Sequence, residues 1–294
     1  MSILLTRFGK LLLIIFHKFP NYYLLFGFLF LMACQDTSTL YQKTFTAEEK
    51  KQLALQMRQG IGYYYQGSVP EVMLIEEGLS LDPDNVELNR EVGIPYLKRG
   101  FAAEFEKYYQ RTISLDPTEW IGWRGYLYLY FYRDYERAIA DFDATDSLTV
   151  DFVDYPQATS VHFMRAIAYL KLKKYDEALL YLDMHLTEEL KTTTLDYIDA
   201  KTFLYQALAY YKQGALAKAR EYLKIGTDNA PYSADLWYWT AKIALEQGQQ
   251  EIAREALEKG QTQFRKGYQN QRPYVEEFFQ LYQSDFDELQ AQLK

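Results

Sequence analysis

The chain has 294 residues, 49 % of them hydrophobic and only eight of them proline, which allows a large packed core and excludes global disorder. The formal charge is −8; the first 33 residues hold Arg7, Lys10 and Lys18 and no acid, so removing those three from the 32 basic side chains leaves 29 against 40 acidic ones, too few for the dense basic face of a nucleic-acid binder. The single cysteine, Cys34, excludes an internal disulfide and a cysteine-based zinc site.

Residues 1–33 read as a secretory leader. A basic region runs to Lys18, and an uncharged apolar stretch then fills 21–33. That stretch is shorter than the roughly 20 residues of a membrane span, which weighs against the competing reading, an uncleaved transmembrane anchor. Cys34 stands at its edge, before the polar run Gln35-Asp36-Thr37-Ser38-Thr39. Leu31-Met32-Ala33-Cys34 resembles a bacterial lipobox, in which the cysteine becomes the acylated first residue of the mature protein. The resemblance implies lipidation at Cys34 and a membrane-anchored lipoprotein of the bacterial cell envelope, on the outer membrane or its periplasmic face. Residues 34–50 are then a tether.

Beyond the tether, Leu81-Asp82-Pro83 and Leu115-Asp116-Pro117 are the same tripeptide 34 residues apart, a period of helix-turn-helix arrays. Within 86–117, Gly93 marks a helix crossing, Tyr96 and Tyr109 fill gaps, and Gly100 lies in the turn. Similar sets recur. Residues 119–146 give Trp123, Gly125, Ala138 and Phe142; 159–186 give Ala166, Tyr169, Lys173-Lys174, Ala178 and Leu182. Residues 200–231 give Phe203, Ala207, Tyr210, Gly214, Ala219 and Gly226; 234–265 give Trp237, Ala241, Gly248, Ala253 and Gly260. The weakest set is 52–83, with Gly60, Tyr63 and Gly67, where Val69-Pro70 suggests a turn short of one residue. Small residues are needed where two helices approach to about 8–10 Å.

These positions resemble the tetratricopeptide repeat family over 52–265. The resemblance implies an all-α, right-handed α-solenoid of five to six helix-turn-helix repeats across 51–265. Ala138 to Ala178 and Ala178 to Ala219 are longer than 34 residues, which predicts inserted connections near 146–158 and 187–197. Residues 273–294 carry Val275, Phe278, Phe279, Leu281, Tyr282, Phe286 and Leu289 at helical spacing, behind a Pro273 suited to a first turn. They predict a C-terminal capping helix within 266–294 that covers the last open face.

Nothing points to catalysis, and no cofactor or metal is expected. A Gly-rich phosphate loop and the common hydrolase motifs are absent from the sequence. Apart from His17 in the leader there are two histidines, His162 and His185, with no second ligand at metal spacing. The acidic run Asp141–Asp146, with Asp151 and Asp154, lacks the glycine and distal glutamate of a calcium loop and reads as solvated loop charge. A chaperone-type carboxylate clamp is also missing, since Gln56, Gly60, Arg90 and Ile94 stand at its positions.

A solenoid offers a concave groove to a protein or peptide. The repeat register turns five positions of each first helix inward. It places Arg90 and Lys98 there, then Trp123 and Tyr130, Phe163 and Lys171, Leu204, Tyr211 and Lys212, and Tyr238 and Lys242. Rings beside ammonium groups suit an extended peptide with acidic and apolar side chains. The expected function is a lipid-anchored adaptor or scaffold, not an enzyme. Alternatives are a structural subunit of an outer-membrane or pilus assembly machine and a glycan-binding lipoprotein.

Overall fold

The computed structural model describes residues 44–293. Cys34, the leader and the first part of the tether lie outside the described residues.

The described chain is all helical, with thirteen α-helices and no strand. They form six hairpins in chain order: α1 (Ala47–Ile61) with α2 (Val69–Leu81), α3 (Val86–Lys98) with α4 (Ala102–Leu115), and α5 (Pro117–Leu127) with α6 (Tyr135–Leu148). Then follow α7 (Val161–Lys171) with α8 (Tyr175–Glu189), α9 (Ala200–Lys212) with α10 (Leu216–Asn229), and α11 (Ala234–Glu246) with α12 (Gln250–Arg265). A last helix, α13, spans Gln283–Gln292. Each helix packs on its hairpin partner and on its neighbour along the chain, the connectivity of a solenoid.

Crossing positions are small for the reason the sequence suggests. Ala138, Ala166, Ala178, Ala207, Ala219, Ala241 and Ala253 are all fully buried. At Gly125 even a Cβ would sit 2.6 Å from the Phe142 ring. Large residues fill the gaps as ring pairs. Tyr96–Tyr108, Tyr169–Tyr181 and Tyr210–Tyr222 stack across three hairpins at centroid separations of 5.8, 5.5 and 5.4 Å. These tyrosines are packing, which absorbs part of the aromatic excess.

The A–B turns need one left-handed residue. Gly100 takes it at φ 80°, whereas Arg133 and Lys173 take it without glycine at 56° and 61°. Arg133 follows a π-helical turn over Tyr128–Tyr132 that absorbs the crowding of five consecutive large residues.

Several expectations need correction. The solenoid begins at Ala47, inside the expected tether, because Thr46 and Glu49 form a reciprocal capping box. The first A–B turn is long, running over 62–68, not short of a residue; Pro70 lacks an N–H and holds the start of α2 at its first turn. The acidic run is neither a loop nor free. It lies on α6, where Asp141 meets Arg124 through two 2.8 Å bonds, and Asp143 and Asp146 meet the fully buried Arg165 at 3.0 and 2.8 Å. The longer spacings are loops over 149–160 and 190–199, each with one 3₁₀ turn. The C-terminal helix covers only 283–292. It caps the array as expected, with Phe286 fully buried against Gly260, Phe264 and Tyr238. Residues 266–282 are not part of it.

The inner face and its occupant

The expected side chains lie on the first helices of the hairpins or just beyond them, and Lys98, Tyr130, Lys171 and Tyr238 meet the end of the chain on one side, the inner face. Their states differ. Lys98 and Lys212 are exposed; Arg90, Trp123, Lys171, Tyr211 and Lys242 are half-buried. Tyr130, Phe163, Leu204 and Tyr238 are buried, at 1, 6, 2 and 6 % exposure, so they do not stand open to a ligand. Phe163 packs edge-on to Tyr205 and beside His185. Tyr130 and Tyr238 are covered by the end of the chain itself.

After α12 the chain turns back across this face. The Tyr268 carbonyl accepts from Ala234 N–H at 2.9 Å, and Asn270 N–H donates to the Asp235 carboxylate at 2.8 Å. Arg272 then sits over Tyr130 with 3.6 Å from its guanidinium carbon to the ring centroid. Tyr274 reaches the Lys98 ammonium at 4.4 Å. Phe278 lies 5.3 Å from Tyr130, with Arg133 at 4.1 Å and Lys171 at 5.7 Å from its ring. Phe279 lies 6.2 Å from Tyr205 and 5.0 Å from the Lys171 ammonium. The physical reason is plain. A floor of rings left in water is unfavourable, and Phe278, nearly fully buried, covers it together with Phe279.

The electrostatics of the face are distinctive. Lys98, Arg133, Lys171, Lys212 and Lys242 form no ion pair among the described residues, although acids outnumber bases in the chain. Each rests on an aromatic ring instead. Burial, with Arg133 and Lys212 nearby, pushes the Lys171 ammonium below the usual lysine range. Arg90 pairs with Glu91 and stacks at 4.9 and 5.9 Å on Trp120 and Trp123. Tyr211 donates to Glu246 at 2.6 Å.

Arg133, Tyr126, Tyr205 and Arg272 belong to this face and were not among the expected residues. Arg133 ends a π-turn that shifts it inward, and periodicity assuming a regular helix skips it. The other expected chemistry stays structural. His162 and His185 are buried, burial lowers the pKa of both, and His185 Nε2 is 3.2 Å from Thr202 Oγ1. Among the described residues no group of three His, Cys, Asp or Glu side chains could hold a metal, and no helix is long and apolar enough to cross a membrane. A separate open depression of about 590 Å³ at one edge is lined by Tyr197, Tyr232 and Tyr268 with Asp196, Asn229 and Gln269.

Comparison with known proteins places these helices. The tetratricopeptide repeat family (TPR_16) matches residues 127–189 and 204–267. No curated protein matches the chain in sequence. Among solved structures, the type IV pilus biogenesis factor PilW is similar at 20 % identity and a TM-score of 0.54, over 76 % of this chain and 95 % of that one. PilF of Pseudomonas aeruginosa is similar at 16 % identity and a TM-score of 0.53, over 83 % and 96 %. The APC/C Cut9–Hcn1 hetero-tetramer is similar at 13 % identity and a TM-score of 0.54, over 84 % and 46 %. At these identities the likeness is one of fold.

Proposed function

The chain is a tetratricopeptide repeat protein, and from that premise we propose that it is a lipid-anchored scaffold of the cell envelope that holds a partner protein on its inner face. Repeats of this kind make interaction surfaces. The observation that carries the reading is the set of ring-capped cations without carboxylate partners, Lys98 on α3, Arg133 after the π-turn, Lys171 on α7, Lys212 on α9 and Lys242 on α11. Anchoring rests on Leu31-Met32-Ala33-Cys34. The role is one of binding, with no reaction assigned.

The test is co-purification of the partner with the anchored protein. The combined Lys98→Glu, Lys171→Glu, Lys212→Glu variant should fold, reach the membrane and lose that partner. Retained capture would move the binding site off the inner face. A structural role in an envelope assembly, by likeness to the pilus biogenesis factors, predicts the same loss together with failure of that assembly. A glycan-binding role is favoured only by the tyrosines around the 590 Å³ depression. It predicts loss of glycan-array binding in Tyr197→Ala.

A further inference from the structure

Residues 270–282 cross the inner face as irregular chain, bent over 273–275 and turned at 278–279, and fill it as a ligand would. Among the described residues no hydrogen bond joins their main chain to the main chain of the first helices. Side chains hold them: Arg133 donates to the Glu276 carbonyl, and Tyr205 Oη donates to the Phe278 carbonyl at 3.4 Å. Tyr274 and Phe279 adopt φ of 71° and 56°, a left-handed conformation unfavourable for bulky side chains. Such strain makes a seated segment easier to lift out.

The segment also satisfies the face only in part. It offers rings to Lys98, Arg133 and Lys171. It offers no carboxylate to any of the five cations. Glu277 turns inward to Arg272 at 3.5 Å, and Glu276 accepts from Tyr282 within the segment. The rings of the ligand-binding chemistry are present, and the charges are directed elsewhere.

We propose that residues 270–282 stand in for the true occupant of the inner face, an extended strand of a partner protein with acidic side chains beside aromatic ones, and that this strand displaces them. The proposal rests on the reading that the inner face binds a partner. It adds the chemistry of the ligand and a competition built into the chain. Affinity for a strand is lowered by the fraction of molecules in which the face is closed.

The probe is a fluorescein-labelled peptide with the sequence of residues 273–282, which carries Glu276 and Glu277 without Arg272. Anisotropy is read against the full chain and against the full chain bearing Phe278→Ala and Phe279→Ala. The opened variant should bind at least about tenfold tighter than the unmodified chain. A peptide with both glutamates replaced by lysine should bind neither. Equal affinity of the two chains overturns the proposal, as does no binding by an opened variant that keeps its helical circular dichroism.

If the opened variant fails to fold, amide hydrogen exchange on the unmodified chain decides. Excess peptide should accelerate exchange at the hydrogen-bonded amides of Glu277, Phe278 and Gln280 and leave 203–209 unchanged; no change at those three overturns the proposal. So does a dimer in sedimentation in which the segment seats on a second copy. Loss of the partner in the triple lysine variant alongside a failed displacement would leave the scaffold reading standing. Retained capture in that variant would remove the scaffold reading itself.

Discussion

Arg272 stacks on Tyr130 and donates from Nη1 to Tyr126 Oη at 3.0 Å, which ties the end of the chain to the third hairpin. Tyr130 is 1 % exposed, and burial pushes its phenol well above the usual tyrosine range. On its other side Arg272 meets Glu277, itself almost wholly buried. A stacked cation thus neutralises the one buried acid of the segment.

Arg272→Ala removes both contacts and leaves Glu277 buried without a counter-charge. The expected loss is about 2–4 kcal/mol in urea denaturation. Arg272→Lys should recover little of it, because an ammonium does not reproduce a stacked planar guanidinium. A midpoint unchanged in Arg272→Ala would contradict the placement of the segment.

Asp235 gives the pH dependence. It is 1 % exposed at the start of α11, and burial raises its carboxyl to about 6, partly offset by the N–H of Asn270. The folded state therefore binds this proton more tightly than the unfolded chain. The contribution is fully present below the unfolded value of about 4 and is lost as pH rises through about 6. Asp235→Asn should show no such fall, and its advantage should grow to on the order of 2 kcal/mol by pH 7. An advantage that stays constant from pH 4 to 7 would contradict this account.

Ala219 is fully buried at the crossing of α9 and α10. Ala219→Trp should lower stability by about 1–3 kcal/mol or more through overpacking. Gly125→Ala should act the same way, against the Phe142 ring. Melting temperatures equal to that of the unmodified chain would place the repeat register in error.

Cys34→Ser should abolish incorporation of labelled fatty acid and move the protein from the membrane to the soluble fraction. The motive is the apolar stretch that ends in Ala33-Cys34. Equal labelling of both chains would end the lipoprotein reading.

The repeats were legible because each carries several agreeing positions, and the buried alanines sit where the spacing puts them. The two long spacings gave the loops over 149–160 and 190–199 for the same reason. Residues 273–282 were not legible. Val275, Phe278, Phe279 and Tyr282 have helical spacing, and Pro273 fits a helix start, yet the rings are claimed by the floor of another element. Local pattern records that a residue is buried and not against what. The acidic run misled in the same way, since only the fold brings Arg124 and Arg165 to Asp141, Asp143 and Asp146. Arg133 was hidden by the π-turn over Tyr128–Tyr132, which breaks the register used to count inward positions.

The central claim is that the inner face is a strand-binding surface closed by the chain's own end. A photo-reactive phenylalanine analogue at position 278 of the full chain, followed by proteolysis and mass spectrometry, tests it most directly. The account predicts intramolecular cross-links to fragments containing Tyr130, Arg133 and Lys171, and their loss when the peptide of residues 273–282 is in excess. Cross-links confined to α12 and α13, or unchanged by that peptide, would contradict it.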